Sequence, residues 1–507
     1  MVGNVIHESD HARIIAGWPY NIYEPLRPQL TQEEEELLDT IINVLLKKTS
    51  IVYVSFKVLP KEFEEEFKET FREEVLLKIP PQAFSKLPEE DIREQIRELL
   101  DTYLAKFPVK NRSYVVDLIL ARVFGLGELE PLLRDDELEE VMVNGGGRPV
   151  FVFHRKFGMC KTDIVLSDEE IMKYIKRVAT FVNKSISERS PLLDAHLPTG
   201  DRFNAAIPPV TIKGPSITIR KFRRRPFTLI DIMSNGTIPE EVAAFLWLAV
   251  DGMGIAPRNI LIAGGTGSGK TTTLNALIDF IPLDQRIITV EDTKELDIPL
   301  HENWIPMVTR PASKGAPGVT MNDLLKNALR MRPDRIIVGE VRGEEAETLF
   351  IAMDVGHQGT MGTLHANSAR EVLLRLTSEP MNVPKDLLPL VNLILIQHRI
   401  RTPQGTIRRL MEVAEVARMD EQVLLSHVYK WDPARKKLLR TDVPSHTIEE
   451  MAEIVGVDKK EIMQEIVNRE KVLRWAKRHV KDRAEFIKLV NAYYSNPEGI
   501  LDAITRP

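Results

Sequence analysis

One octapeptide constrains this chain more than any other feature. Residues 264–271 read Gly-Gly-Thr-Gly-Ser-Gly-Lys-Thr and fit the pattern G-x-x-x-x-G-K-[ST]. The apolar run 259–263 predicts a buried strand before the octapeptide, and 271–280 predicts a helix after it. Glycines allow a turn whose successive N–H groups face one anion, and the helix N-terminus adds its positive end. The octapeptide therefore predicts a strand–loop–helix cradle for phosphate groups.

The predicted cradle suits ATP with Mg²⁺ as the bound species. Lys270 would bring positive charge to the outer phosphates, and the hydroxyl of Thr271 is a candidate ligand of Mg²⁺. The predicted nucleotide-binding residues are Gly264, Gly265, Thr266, Gly267, Ser268, Gly269, Lys270, Thr271 and Thr272.

Two further apolar runs end in a carboxylate, as expected for strands that face a phosphate cradle. The run 335–340 ends in Glu340, two strands away from the cradle, and the run 287–291 ends in Glu291. Many P-loop proteins carry an Asp for Mg²⁺ where Gly339 stands, so we expect both carboxylates to reach the metal through water. Glu340 is predicted to position or deprotonate the attacking water, and Glu291 to act near the metal or the water. Alternatively, each is an N-cap or a surface acid.

A polar segment, residues 356–367, contains His357 and His365 at a predicted strand end. The two histidines stand eight residues apart with no carboxylate or thiolate at metal-ligand spacing, so we predict no metal site there. We expect His365 instead to lie beside the nucleotide and to sense the γ-phosphate.

Arginines make the region before residue 226 locally basic. Arg202 and Arg220 lie near predicted strands, and three more follow: Arg223, Arg224 and Arg225. A solvated basic face, nucleic-acid binding and an arginine finger that reaches the transferred phosphate all remain open.

The amino-acid composition excludes several classes of protein. The formal net charge of −6 argues against a dedicated nucleic-acid-binding protein. Cys160 is the one cysteine, so the chain can form neither an internal disulfide nor a four-thiolate zinc site. The longest apolar run, residues 243–250, is too short to span a bilayer, which needs about 20 residues. The first residues show no basic start followed by an apolar stretch, so no signal peptide is predicted.

The pattern along the 507 residues predicts four parts. They are an acidic N-terminal helical region (1–109), a mixed α/β domain (110–225), a linker (226–239), and a P-loop domain with C-terminal helices (240–507). Capping-box spacing predicts three helix starts, at Thr31/Glu34, Thr447/Glu450 and Asp458/Glu461.

Several motifs, taken in order, resemble those of the type II/type IV secretion ATPase superfamily. The cradle corresponds to Walker A, and three further segments resemble the Asp box, Walker B and the His box: residues 290–296, 329–343 and 362–369. The Gly-Glu ending at Glu340 is usual in that family. Residues 197–204 and 216–222 resemble its N-terminal arginine segments, so the resemblance covers roughly 110–415.

This resemblance implies an α/β fold with RecA-like P-loop domains in a homohexameric ring, each joined to a PAS-like N-terminal domain by a mobile linker. ATP would lie between the two domains, with Arg202 and Arg220 approaching its phosphates. Hydrolysis would drive an integral membrane platform protein that assembles pilus-like filaments or secretes proteins. The chain itself would be cytoplasmic, held at the inner face of the cell membrane by that partner.

The absence of a tetracysteine zinc insert, together with residues 303–304 and 309–311, makes the chain more similar to the archaeal branch of the family. The opening residues favour secretion or pilus assembly over an archaellum motor. Two other classes remain: a conjugation-type nucleic-acid transport ATPase, supported by the arginines and the helices of 447–474, and a regulatory subunit that binds nucleotide without turnover. Residues 1–109 are the expected docking surface for a partner.

Overall fold

Two separate nine-stranded sheets organise the described part of the chain. The computed structural model describes residues 4–47, 49–222, 226–310, 312, 317–402, 405–419 and 422–505. The chain divides into two units, Met1–Arg224 and Arg225–Pro507, and each unit has its own sheet.

The first unit combines a mostly antiparallel sheet with helices. Its strands are β1 Val5–Glu8, β2 Ala12–Ile15, β3 Asn21–Pro25, β4 Leu138–Asn144, β5 Arg148–His154, β6 Gly158–Leu166, β7 Leu192–His196, β8 Arg202–Ala206 and β9 Ser216–Arg220. Its α-helices are α1 Gln32–Leu45, α2 Lys61–Phe71, α3 Glu90–Leu104, α4 Arg112–Ile119, α5 Glu130–Arg134 and α6 Asp168–Phe181. The strand order is β1-β2-β3-β6-β5-β4-β9-β8-β7, and β3 pairs with β6 in parallel.

The prediction that residues 1–109 form a helical region was wrong for the first part of that range. Strands β1–β3 precede the first helix and extend the sheet of the first unit. Strands of four or five residues offer only two inward positions each, such as Ala12 and Ile14, too few for a clear alternating pattern. Helix α1 does begin at the predicted capping box: the Thr31 hydroxyl accepts from the Glu34 amide at 3.3 Å, and the Glu34 carboxylate accepts from the Thr31 amide at 2.9 Å.

The second unit has a half-parallel sheet and a C-terminal set of helices. Its strands are β10 Ile260–Ala263, β11 Ile287–Glu291, β12 Trp304–Val308, β13 Arg335–Val341, β14 Met361–Leu364, β15 Leu393–Thr402, β16 Gly405–Met419, β17 Gln422–Asp432 and β18 Lys437–Arg440. Its α-helices are α7 Leu229–Ser234, α8 Glu240–Asp251, α9 Lys270–Ile278, α10 Met321–Ala328, α11 Glu345–Asp354, α12 Ala369–Leu376, α13 His446–Val455, α14 Lys459–His479, α15 Arg483–Ser495 and α16 Pro497–Thr505.

The second sheet is ordered β12-β11-β13-β14-β10-β15-β16-β17-β18. The strands from β12 to β15 run parallel, and those from β15 to β18 pair antiparallel. Parallel strands covered by helices on both faces read as continuous apolar runs, and every residue of β10 is buried. Strand β14 lies between β10 and β13, so Glu340, near the end of β13, is two strands away from the strand that enters the phosphate loop. The predicted α/β class, with a RecA-like P-loop domain and a mixed α/β N-terminal part plus helices, is confirmed.

Two local predictions in the second unit need correction. The predicted linker 226–239 contains α7, which starts at a Thr228 capping box and buries Leu229 in the core of this unit. Its prolines misled the prediction because Pro239 precedes helix α8 and does not interrupt α7. Helix α13 is capped by Ser445 and not by Thr447, whereas the Asp458/Glu461 box is present.

Among the described residues, no helix is long and apolar enough to cross a membrane.

Candidate nucleotide site

The phosphate loop connects β10 to α9 at the carboxyl edge of the parallel strands. Gly267 and Gly269 have φ values of 70° and 94°, a backbone region that side chains with a Cβ rarely adopt. Gly269 caps α9, and the first intrahelical bond runs from the Thr273 amide to the Gly269 carbonyl at 2.9 Å. Amides in the first helical turn have no helical acceptor before them, so those of Thr271 and Thr272 are suited to bind an anion.

Lys270 and His365 bring polar side chains to this loop. The buried Lys270 ammonium donates to the carbonyls of Gly264 at 3.0 Å and Gly265 at 3.3 Å. His365, just beyond β14, places its Nε2 3.0 Å from the hydroxyl of Thr266. Burial, and then the charge of Lys270, lower the pKa of His365. The histidine therefore lies beside the loop as an imidazole that favours its neutral form.

Glu291 ends β11 as a buried carboxylate that is only half satisfied. Its Oε1 accepts from the amides of Glu295 at 2.9 Å and Leu296 at 3.0 Å. Its Oε2 has no hydrogen-bond partner among the described residues. Burial raises the pKa of Glu291 to about 7, although the two backbone bonds act in the opposite direction. A buried oxygen left without a partner is a position for a water or a cation.

The glycine at 339 follows from the position of Glu291. A Cβ at Gly339 would lie 3.0 Å from the Glu291 Cγ, so a larger residue here would press on the buried carboxylate. The hydroxyl of Thr363 in β14 donates to the Gly339 carbonyl at 2.6 Å and fixes this end of β13. An Asp at 339 would therefore require the Glu291 side chain to shift.

Glu340 contacts an arginine that sequence reasoning missed. Arg342 donates to Glu340 through Nη2, and its Nη1 lies 3.9 Å from Asp292. Burial acts to raise the pKa of Glu340, but the Arg342 contact, with the charge of Lys270, leaves that pKa below its ordinary value. Glu340 is thus ionised and oriented. Arg342 lies one residue beyond the end of β13, and its spacing of two positions from Glu340 was the signal available in the sequence.

The structure brings the cradle, Glu291, Glu340 and His365 together in the second unit. The two predicted arginines belong to the first unit, where Arg202 on β8 and Arg220 on β9 are direct cross-strand partners. The Arg202 guanidinium also lies 6.0 Å from the centroid of the Phe222 ring. Their approach to a phosphate stays a prediction. The arginines 223–225 and residue 311 lie outside the described residues.

The donor set at the loop fits Mg²⁺. Thr271 is the second residue of α9 and offers its hydroxyl oxygen. The Oε2 of Glu291, without a hydrogen bond among the described residues, is a second hard oxygen at the same sheet edge. Elsewhere in the described chain, one cluster has ligand types at metal distance, formed by His7, Glu137 and His154. There the His154 Nδ1 accepts two backbone amide bonds, at 3.1 and 3.2 Å. The ring proton is therefore on Nε2, which lies 3.6 Å from the Glu137 carboxylate and in this tautomer has no lone pair for a metal.

Comparisons with known proteins give a matching family and several relatives. The sequence profile of the family described as type II/IV secretion system protein matches residues 125–489. The Methanocaldococcus jannaschii protein MJ0781 is 33% identical, over 81% of this chain and 81% of its own length. The type IV secretion system protein VirB11 of Bartonella henselae is 36% identical, over 50% of this chain and 80% of its own. The crystal structure of the VirB11 ATPase from the Brucella suis type IV secretion system, in complex with sulphate, is 32% identical, with coverages of 57% and 93% and a TM-score of 0.29.

Proposed function

This chain belongs to the type II/IV secretion system protein family, and from that premise we propose that it hydrolyses ATP to power protein secretion or the assembly of a pilus-like filament. The observation that carries the proposal is the meeting of a phosphate loop with two acids of different character. Glu291 is buried, and one of its oxygens accepts no hydrogen bond from the described residues; Glu340 is ionised and held by Arg342.

In the proposed reaction the loop binds the phosphates and the acids handle water. The amides of 265–272 and the Lys270 ammonium bind the β- and γ-phosphates. Glu340, ionised and oriented, accepts a hydrogen bond from the attacking water and aligns it with the γ-phosphate. Thr271, and through water Glu291 and Glu340, would hold Mg²⁺, which would neutralise charge on the phosphates when bound. His365, through Thr266, is placed to respond to the loss of the γ-phosphate.

The remaining catalytic charge is proposed to come from the first unit. Arg202 and Arg220 are adjacent on β8 and β9, so a single movement of that unit would carry both guanidinium groups together. We propose that they reach the transferred phosphate as arginine fingers in a homohexameric ring. Two guanidinium groups on one rigid sheet give a fixed spacing that suits a phosphate with several charged oxygens.

The work of the motor is proposed to be done on a membrane partner. In keeping with its family, the chain is proposed to act at the cytoplasmic face of the membrane through contact with an integral membrane platform protein. Secretion and pilus assembly are our preferred processes. Archaellum assembly is the alternative, and transport of nucleic acid is a weaker one because the net charge of −6 disfavours binding to a polyanion.

Replacement of Lys270 tests the proposal. Lys270→Ala removes the point charge that the loop offers to the outer phosphates, so steady-state ATP turnover should fall by about 10²-fold or more. The matched control is Lys326→Ala, which removes an exposed lysine of α10 and should leave turnover within about twofold. Unchanged turnover in Lys270→Ala would refute the assignment of the cradle.

A further inference from the structure

The first contact between the phosphate loop and the β15–β16 hairpin is made through Gln397. Strand β15 pairs in parallel with β10, and the last pair in their register is Ala263↔Ile396. Gly264 and Gln397 are the residues that follow this pair. A Cβ at Gly264 would lie 2.2 Å from the Gln397 carbonyl oxygen, so only glycine allows this approach. The buried Gln397 side chain accepts from the hydroxyl of Thr273 in α9 at 2.7 Å. The hairpin thus holds both the loop entrance and the helix that follows.

Two arginines of the same hairpin contact the middle of the loop. Arg408 of β16 donates from Nε to the Gly267 carbonyl at 2.9 Å. Arg399 of β15 is its cross-strand partner, and its Nη1 would lie 3.0 Å from a Cβ at Gly267. The Cδ of Arg408 would lie 3.2 Å from a Cβ at Gly269. The glycines of the loop therefore allow close contact with the hairpin as well as with phosphates. A Cβ at Gly264, Gly267 or Gly269 would lie within 3.2 Å of a hairpin atom.

The Arg408 bond sets the orientation of one peptide group in the loop. In a planar trans peptide the C=O and N–H point in opposite directions. A Gly267 carbonyl held outward by Arg408 therefore turns the Ser268 amide toward the inside of the loop, where it lies 3.3 Å from the Gly265 carbonyl. The inside of the loop is the side on which phosphate oxygens must replace such internal acceptors.

We propose that Arg408, with Arg399 beside it, is a positioning residue of the phosphate loop. The directed Nε–H bond of Arg408 holds the Gly267–Ser268 peptide with its amide turned to the phosphates, so nucleotide affinity depends on the hairpin. This inference rests on the proposed ATP-binding function. It assigns Arg408 a role through the loop and no contact with the reacting atoms.

The test compares Arg408→Ala, Arg408→Lys and the control Arg401→Ala in the full chain, with a fluorescent ATP analogue and steady-state kinetics. Loss of one directed hydrogen bond should weaken binding and raise KM by about threefold to tenfold. The kcat should stay within about twofold, because phosphates are held alike before and during the reaction. Arg408→Lys keeps the charge but has no Nε–H, so it should bind as weakly as Arg408→Ala. Arg401, exposed two residues beyond Arg399, should behave as the parent chain.

Three results would overturn the inference: unchanged affinity in Arg408→Ala, full rescue by lysine, or a fall in melting temperature without nucleotide that accounts for the weaker binding. Lys270→Ala, measured beside them, separates this inference from the proposed function. If Lys270→Ala abolishes binding while Arg408→Ala does not weaken it, only the hairpin role fails. If Lys270→Ala leaves binding intact, the cradle itself is wrong.

Discussion

Buried carboxylates occur in two regions of the second unit, and their surroundings differ. Under the C-terminal helices, Asp251 of α8 accepts two hydrogen bonds from Arg469. The Arg469 Nη1 donates to Oδ1 at 2.5 Å and the Nη2 to Oδ2 at 3.1 Å. The same guanidinium donates to Glu465 at 2.8 Å and lies 5.0 Å from the Trp247 ring centroid. At the nucleotide edge, Glu291 is equally buried, but within the described part of the chain one of its oxygens has no hydrogen bond.

The difference separates a structural acid from one kept available for a ligand. A buried charge whose oxygens are all bonded has no capacity left for a substrate or metal, whereas a half-satisfied one carries a desolvation cost that a ligand can relieve. Burial raises the pKa of both groups; the Arg469 charge opposes that shift most strongly at Asp251, whereas two backbone amides oppose it most strongly at Glu291. The burial of the carboxylates therefore does not distinguish the two regions. The number of carboxylate oxygens that accept a hydrogen bond does distinguish them.

The largest expected effect comes from breaking the structural pair. Arg469→Ala leaves Asp251 as a buried carboxylate without its cation, which should cost about 3–5 kcal/mol of unfolding free energy. Denaturant unfolding followed by circular dichroism measures this loss. Nucleotide affinity of the molecules that remain folded should be unchanged, because the pair belongs to the helices and not to the phosphate loop.

Arg474→Ala is the matched control for that experiment. It lies on the same helix, α14, but its side chain is 64% exposed and pairs only with Glu470 four residues earlier. Exposed pairs of this kind contribute about 0.3–0.5 kcal/mol. Equal destabilisation by both substitutions would mean that the buried pair is not the special feature of this region.

At the nucleotide edge, Glu340→Gln should act mainly on the chemical step. The amide keeps the size of the side chain but loses the negative charge that orients water, so turnover should fall by about 10²-fold, near 3 kcal/mol in the barrier. Single-turnover hydrolysis together with analogue binding separates the chemical step from affinity. Glu347→Gln, an exposed acid on α11, serves as the control. A parallel loss of ATP affinity would place Glu340 in binding and not in catalysis.

The parallel half of the second sheet was predictable because its strands are continuous apolar runs that end at charged residues. Octapeptide 264–271, Glu291 and Glu340 all follow such runs, so their common edge could be inferred before any coordinates. The short strand β2, with its two inward residues, gave too little signal. The start of α13 could not be read locally, because the buried Glu415 of β16 bonds the Ser445 hydroxyl and the Thr447 amide across 30 and 32 residues of chain.

The arginines of the hairpin show a second limit. Arg399 and Arg408 are nine positions apart in sequence, and only the antiparallel register makes them partners against the loop. Nothing in the local sequence distinguishes Arg408 from Arg409, which instead donates to the Asn235 carbonyl at 2.9 Å. Contacts that depend on register across a sheet need the fold, whereas motifs along one strand do not.

The smallest expected effect tests the half-satisfied acid itself, through the pH dependence of stability without metal or nucleotide. Burial raises the pKa of folded Glu291 from 4.5 to about 7. Between those values the unfolded chain loses a proton that the folded chain retains, so Glu291 makes stability fall as pH rises. Glu291→Gln removes this term, and its unfolding free energy relative to the parent should improve by about 2–3 kcal/mol between pH 5 and pH 8.5. Any pH-independent cost of the new amide cancels in that difference.

Glu340→Gln provides a control of opposite sign for the same measurement. Its folded pKa is lowered, so the ionised Glu340 contributes stability above the unfolded value that is lost as pH falls through the folded one. The glutamine variant should therefore be the less stable chain at neutral pH and approach the parent under acid. If the unfolding free energies of both variants, relative to the parent, changed with pH in the same direction, the pKa values of Glu291 and Glu340 would not be shifted in opposite directions.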